Sequence, residues 1–224
     1  MCGMDTEQIR DALADALSGR HLLTHPFYRR WEEGTLADGE LAAYAEQYRL
    51  IEQALPVTLS AIADALPDGR ARALVEGNLA DELGVPAPHA VLFESFAQAA
   101  GATPGVAASP ATAALLTAVR AASSTDTAAA LAMVAAYEVQ AADIAASKAD
   151  GLRRHYGMDA AGTGFWDLHA TQEVAHADWS IDALSALDAD AVAVRAAARI
   201  AAEAWWDFLS EREALAPAGA SAIC

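Results

Sequence analysis

Apolar side chains recur at three- and four-residue intervals through most of the chain, and no stretch shows the every-second-residue alternation of a half-buried strand. The pattern predicts an all-α protein. Asp5 is placed to cap a first helix running to about Gly19, and a short second helix starts after Thr24-His25-Pro26 and ends at Gly34. From about Ala37 to Leu66 the apolar stripe passes through Leu41, Tyr44, Tyr48, Ile51, Leu55, Leu59 and Ile62, with Pro56 in its midst to kink the helix. Further helices are predicted from about Arg70 to near Gly84, where Pro86 and Pro88 forbid continuation, from His89 to Gly101, and from Ser109-Pro110 onward. Thr125 or Asp126 caps a long helix through Glu138 and Lys148 to Gly157, and Phe165 to Leu187 and Asp190 to Leu215 supply the last two. The expectation is a compact antiparallel bundle of about seven to eight helices, with frayed tails at residues 1–5 and 216–224. No fixed-period repeat suggests a solenoid.

The 224 residues contain no polar, Pro-rich or Ser-rich linker, so a single domain over 1–224 is expected. Against 31 acidic side chains stand 14 scattered basic ones, a net charge of -17, which argues against a phosphate-binding face and so against nucleic acid as a partner. The segment Met1 to Glu7 is acidic and polar where a signal peptide is basic and then apolar, and no apolar run approaches the roughly 20 residues of a membrane span. A cytoplasmic protein without membrane contact is expected. The two cysteines, Cys2 and Cys224, give neither a disulfide framework nor a metal-binding pair, which suits a reducing compartment.

The chemistry concentrates in three segments. In His169-Ala-Thr-Gln-Glu173-Val-Ala-His176, a helical turn of about 100° per residue puts the glutamate roughly 40° from the first histidine and the second histidine roughly 20° to the other side. Two imidazoles and a carboxylate then share one stripe, a donor set suited to Fe, Mn or Zn, and Glu173-x-x-His176 is the unit from which carboxylate-bridged di-iron sites in bundles are built. Glu82 closes one predicted helix and His89 opens the next, so a turn between them can bring both to one point. Glu138 lies among apolar neighbours, where a buried carboxylate must be paired, protonated or metal-bound. Together Glu82, His89, Glu138, His169, Glu173 and His176 offer three carboxylates and three imidazoles, enough for two metals with open positions. Taken singly, each segment also has a structural reading, as a solvated glutamate or a satisfied histidine. His21, His25 and His155 fall at predicted helix ends and read as capping or surface residues.

These residues resemble the heme-oxygenase-like di-iron oxidases and oxygenases, a family related in fold to TenA and PqqC proteins. The resemblance covers roughly Leu22 to Leu187. It rests on His25-Pro26-Phe27-Tyr28, Trp31, Gly34-Thr35-Leu36, Tyr44 and Tyr48, Glu82 to His89 with Phe93 and Phe96, Tyr137-Glu138-x-Gln140, and the His169, Glu173, His176 triplet. Within the family the chain is most similar to CADD-type para-aminobenzoate synthases of folate biosynthesis, which usually carry Asp where this chain has Glu173. The resemblance implies two iron ions (or Fe/Mn), dioxygen and an external reductant as co-substrates, an electron donor and a homodimer. It further implies that the product comes from the protein's own side chains, Tyr28 giving the ring and Lys148 the amino nitrogen, with Tyr44 and Tyr137 beside them. The chain departs at Phe165, where the subgroup tends to carry a tyrosine four residues before the first histidine of the triplet.

Two other readings stay open on the sequence. One is a di-iron oxygenase or oxidative lyase acting on an external amino acid, amine or fatty acid. The other is a metal-free small-molecule-binding or interaction module, in which the tyrosines are core residues and Lys148 a solvated one. Trp205-Trp206 reads as core packing, and the absence of an interior cysteine argues against thiaminase chemistry.

Overall fold

Side-chain caps set most helix starts in the computed structural model, which describes residues 5–84 and 87–216. Asp5 and Gln8 form a reciprocal capping box on α1 (Thr6–Leu17), so residue 5 is an ordered cap and not part of a frayed tail. At the other end the Ala216 amide still donates to the Glu213 carbonyl. His25 caps α2 (Pro26–Glu33) by accepting the Phe27 amide at Nδ1, with Pro26 at the first helical position. Gly34 ends that helix at φ +70, where an added Cβ would strike the His155 ring at 2.4 Å. Then come α3 (Glu40–Ala65), α4 (Arg70–Glu82), α5 (His89–Ala99) and α6 (Pro110–Thr125). The last three are α7 (Thr127–His155), α8 (Ala160–Ala186) and α9 (Ala191–Ala214), capped by Asp126, Asp159 and Asp190.

The described residues form nine α-helices with a short 3-10 turn at Leu22–Thr24, one or two more than the seven to eight expected in total, although each of the nine, α2 and α5 included, falls where the sequence places a segment. The largest boundary error is at α8, which begins five residues before Phe165. Its first turn carries Gly162 and Gly164 and looks like loop in sequence, but the Asp159 carboxylate accepts the Ala161 and Gly162 amides and starts the helix. Pro56 lies inside α3, which continues through it without the amide that would bond the Glu52 carbonyl. The turn at Val85-Pro86 and both cysteines lie outside the described residues.

Two cores of different composition stack along the bundle. One is aliphatic: Ile9 and Leu13 of α1, Leu59 and Ile62 of α3, Leu131 of α7, and Ile181 and Leu184 of α8. The other is aromatic: Phe27, Tyr28 and Trp31 of α2, Tyr44 and Tyr48 of α3, Phe93 and Phe96 of α5, Phe165 and Trp166 of α8, and Phe208 of α9. The long helices α3, α7 and α8 run through both. Arg30 ties α2 to α3 and α9 through Glu40 and Glu213, and Arg49 makes a two-pronged pair with Glu94 of α5 at 2.7 and 3.0 Å.

One expectation needs correction. By length and composition Thr127–His155 is apolar enough to cross a membrane. In the bundle it packs along α8 and α9, and 67% of its most apolar window is buried against protein.

Candidate metal centre

At the junction of the two cores α3, α7 and α8 turn from apolar to polar. In α3 the change falls between Tyr48 and Leu59, in α7 between Ala136 and Ile144, and in α8 between Trp166 and Ile181. Glu52, Glu138 and the His169, Glu173, His176 stripe occupy those intervals. Glu82 at the end of α4 and His89 at the start of α5 enter the same layer from the side. All six candidate ligands read from the sequence come together there, each at most 5% exposed.

His89 Nδ1 lies 3.0 Å from Glu82 Oε2. His176 Nδ1 is 3.8 Å from both Glu82 Oε1 and Glu173 Oε2, and His169 Nε2 is 3.8 Å from Glu173 Oε1. At two of the three histidines a neighbour fixes which nitrogen faces inward. His169 Nδ1 sits 2.8 Å from the Phe165 carbonyl, a contact that needs the proton on Nδ1 and leaves the Nε2 lone pair free. His176 presents Nε2 to Asp81 at 3.4 Å, which leaves Nδ1 for the centre. Asn78 donates to Glu138 Oε1 at 2.7 Å, and Ser180 also bonds that carboxylate.

One member of the cluster was not found by sequence reasoning. Glu52 is 4% exposed, and it, Glu82, His89 and His169 each offer an atom within 4.8 Å of the others. The sequence signal was present: Glu52 follows Tyr44 and Tyr48 at four-residue spacing, a carboxylate on an otherwise apolar stripe.

The layer is short of hydrogen in a way that fits metal. Glu52 Oε1, both oxygens of Glu82, Glu138 Oε2, Glu173 Oε2 and both nitrogens of His89 are buried without a hydrogen-bond partner. Burial pushes Glu138 up to about 7, and pushes Glu52 and Glu173 well above the usual carboxylate range. Burial, with neighbouring His89, lowers His169 to about 3, so its imidazole is neutral and can ligate. Four carboxylates, if ionised, carry the charge that two divalent cations neutralise. Mixed carboxylate and imidazole donors suit Fe or Mn better than the all-oxygen shells of Mg or Ca.

Next to this layer, on the aromatic side, lies a second cluster. Lys148 is 1% exposed, not the solvated residue of the structural reading. Its Nζ sits 4.0 Å from the Trp166 ring centroid, 4.7 Å from Tyr28, 4.8 Å from Tyr48 and 5.0 Å from Tyr44. Nζ also donates to the Tyr44 hydroxyl at 2.6 Å, and that hydroxyl pairs with Tyr28 at 2.9 Å. Tyr137 joins this group through Tyr48, their hydroxyls 2.9 Å apart, and stacks its ring on Trp205 at 4.3 Å. Burial lowers the Lys148 ammonium well below its ordinary value, and Glu52 partly opposes the shift. Phe165, which has no hydroxyl to offer, lays its ring 3.9 Å from His169. His25 is a cap as expected but a buried one, and burial lowers it to about 4.

Residues 42–207 match the sequence profile of a family described as iron-containing redox enzymes. A protein of Nitrosomonas europaea named 4-aminobenzoate synthase is 35% identical over 92% of this chain and 91% of its own length. Two solved structures are similar in fold. A CADD-like protein of unknown function from Nostoc punctiforme superposes with a TM-score of 0.79 at 17% identity, over 96% of this chain and 99% of its own. A TenA homologue from Pseudomonas syringae superposes with 0.78 at 16% identity, over 95% and 96%.

Proposed function

The chain belongs to the iron-containing redox enzyme family, and on that premise we propose that it makes 4-aminobenzoate, using a two-iron centre and two of its own side chains. Glu52, Glu82, His89 and His169 would hold one ion, and Glu138, Glu173 and His176 the other, with Glu82 within reach of both. When bound, a ferrous pair supplies the reduction of dioxygen, with further electrons from an external donor.

The observation that carries the reading is the seating of Lys148. Its Nζ lies 4.7 Å from the Tyr28 ring centroid, and the Tyr44 hydroxyl bonds both the nitrogen and the Tyr28 hydroxyl. Desolvation inside the aromatic cage favours the neutral amine, whose lone pair a nitrogen donor needs. The Tyr44 hydroxyl is placed to take the proton from Nζ or to return one to the Tyr28 phenol. Both reactants are 1% exposed, so water is kept from the reacting pair. Tyrosine already has the para pattern of the product. Its ring with Cβ would become the benzoate, Cβ being oxidised to the carboxylate as the Tyr28 Cα–Cβ bond breaks. Nζ would replace the phenol oxygen, which leaves as water, as the Lys148 Cε–Nζ bond breaks and leaves Cε as an aldehyde; dioxygen, with electrons from the external donor, is the oxidant. Each chain then acts once.

The test is isotopic. Protein carrying lysine with 15N at the side-chain nitrogen and tyrosine with a 13C ring is loaded with ferrous iron, then exposed to oxygen and a reductant. Both labels are expected in 4-aminobenzoate, at no more than one product per chain, with none from Tyr28→Phe or Lys148→Arg. Product from Tyr28→Phe at the parent level, or several per chain, would move the assignment to an external substrate.

A further inference from the structure

A cavity of about 300 Å³ opens from the ligand layer to the surface between α3, α6 and α7. Its inner end is closed by Glu52, Glu82, Glu138, Glu173 and His169, with the Tyr48 and Tyr137 rings beside them. The walls are apolar: Ile51 and Leu55 from α3, Leu115, Leu116 and Val119 from α6, and Val134 from α7. At the outer end stand the exposed side chains of Arg120 and Ser124. The cavity therefore runs from the polar ligand layer, past apolar walls, to one guanidinium at the mouth.

Arg120 is the only cationic side chain among those lining the cavity, and no carboxylate of the described residues pairs with it. Most other arginines of this chain are engaged: Arg30, Arg49, Arg70, Arg72, Arg153 and Arg199, for example, each face an acidic side chain. With 31 acidic residues against 14 basic ones, a guanidinium left over at a cavity mouth is a place for an anion from outside. At the inner end the paired Tyr48 and Tyr137 hydroxyls are left to accept a hydrogen bond.

We propose that this cavity binds a small aromatic carboxylate, its carboxylate on Arg120, its ring between the leucine and valine walls, and a hydrogen-bond donor para to the carboxylate at the inner end. The identity of the ligand rests on the proposed function: 4-aminobenzoate has an anion and an amine at opposite ends of one ring. Tyr28 does not line the cavity; Tyr44 touches Tyr28 and stacks on Tyr48, which does line it, so a product formed at Tyr28 would reach the cavity only by passing these rings.

Binding is measured by calorimetry on the iron-loaded full chain with 4-aminobenzoate, benzoate and aniline, without reductant so that no turnover occurs. The parent should bind 4-aminobenzoate more tightly than either analogue. Arg120→Met should weaken 4-aminobenzoate and benzoate by about tenfold or more and leave aniline unchanged, with iron content and thermal midpoint retained. Val119→Trp, which fills the cavity from its wall, should abolish binding of all three. The site assignment is overturned if the parent binds no aromatic carboxylate, if Arg120→Met binds 4-aminobenzoate as tightly as the parent, or if Val119→Trp leaves binding intact. Equal binding of benzoate and 4-aminobenzoate would overturn the inner donor contact. These outcomes do not depend on the isotope experiment, so the origin of the product and its docking site can fail separately.

Discussion

Glu52 is the residue whose role changes most between sequence and structure. It stands between the ligand layer and Lys148, close enough to Glu82, His89 and His169 to share an ion with them, and it is the charge that opposes the desolvation of the lysine. Glu52→Gln keeps the shape and removes the charge. It should lower iron affinity at one site by at least about 10–100-fold, read by competition with a chelator. It should also leave Lys148 more readily deprotonated. Unchanged affinity would confine Glu52 to holding the lysine. At the same scale Phe165 gives its ring and its carbonyl to His169, so it acts in the site by orienting a ligand and not through a hydroxyl.

Helix α7 shows what an element must do to build such a site. Its small residues let α2, α8 and α9 approach closely, and Gly151 is where that approach is tightest. A Cβ added there would lie 2.8 Å from Trp31 Cδ1 and 3.1 Å from the Trp31 carbonyl oxygen. Gly151→Ala should therefore displace Trp31, weaken its indole bond to the Lys148 carbonyl (3.2 Å), and cost about 1–3 kcal/mol although alanine is the better helix former. The denaturation midpoint checks this. A gain in stability would mean that Trp31 yields without loss.

For the whole molecule, the polar layer between two apolar cores makes stability depend on pH and metal together. In the metal-free protein the folded state holds protons on Glu52, Glu138 and Glu173 above the pH at which the unfolded chain releases them. Stability from these groups is fully present below the unfolded carboxylate value and is lost as pH rises, for Glu138 through about 7. His169 acts oppositely, because its folded value is depressed to about 3, but its contribution is complete above the unfolded value near 6.5. From pH 6.5 to 8 the thermal midpoint of metal-free protein should thus fall. Manganese or iron should raise the midpoint more at pH 8 than at 6.5, since binding displaces those protons. A metal-free midpoint that rises across this window would show that the carboxylates are ionised without metal.

Helix order, most caps and the candidate metal-ligand residue types were legible in the sequence, because they depend on spacing along one chain. Gly34 as a helix end follows from its own left-handed backbone angle, and His169, Glu173 and His176 need only one helical stripe. The pairing of Glu82 with His89 was legible as a possibility, and the approach of His89 Nδ1 to Glu82 Oε2 at 3.0 Å bears it out. What only the tertiary structure decided is which polar residues share a layer. Glu52, Lys148 and Arg120 look alike in sequence, as charged residues on helices. Packing buries Glu52 at the junction of two cores, encloses Lys148 in rings from three other helices, and leaves Arg120 at the mouth of a cavity. The reason is physical: periodicity fixes the direction of a side chain about its own helix axis, while the cost or benefit of its charge is set by neighbours that arrive from other helices.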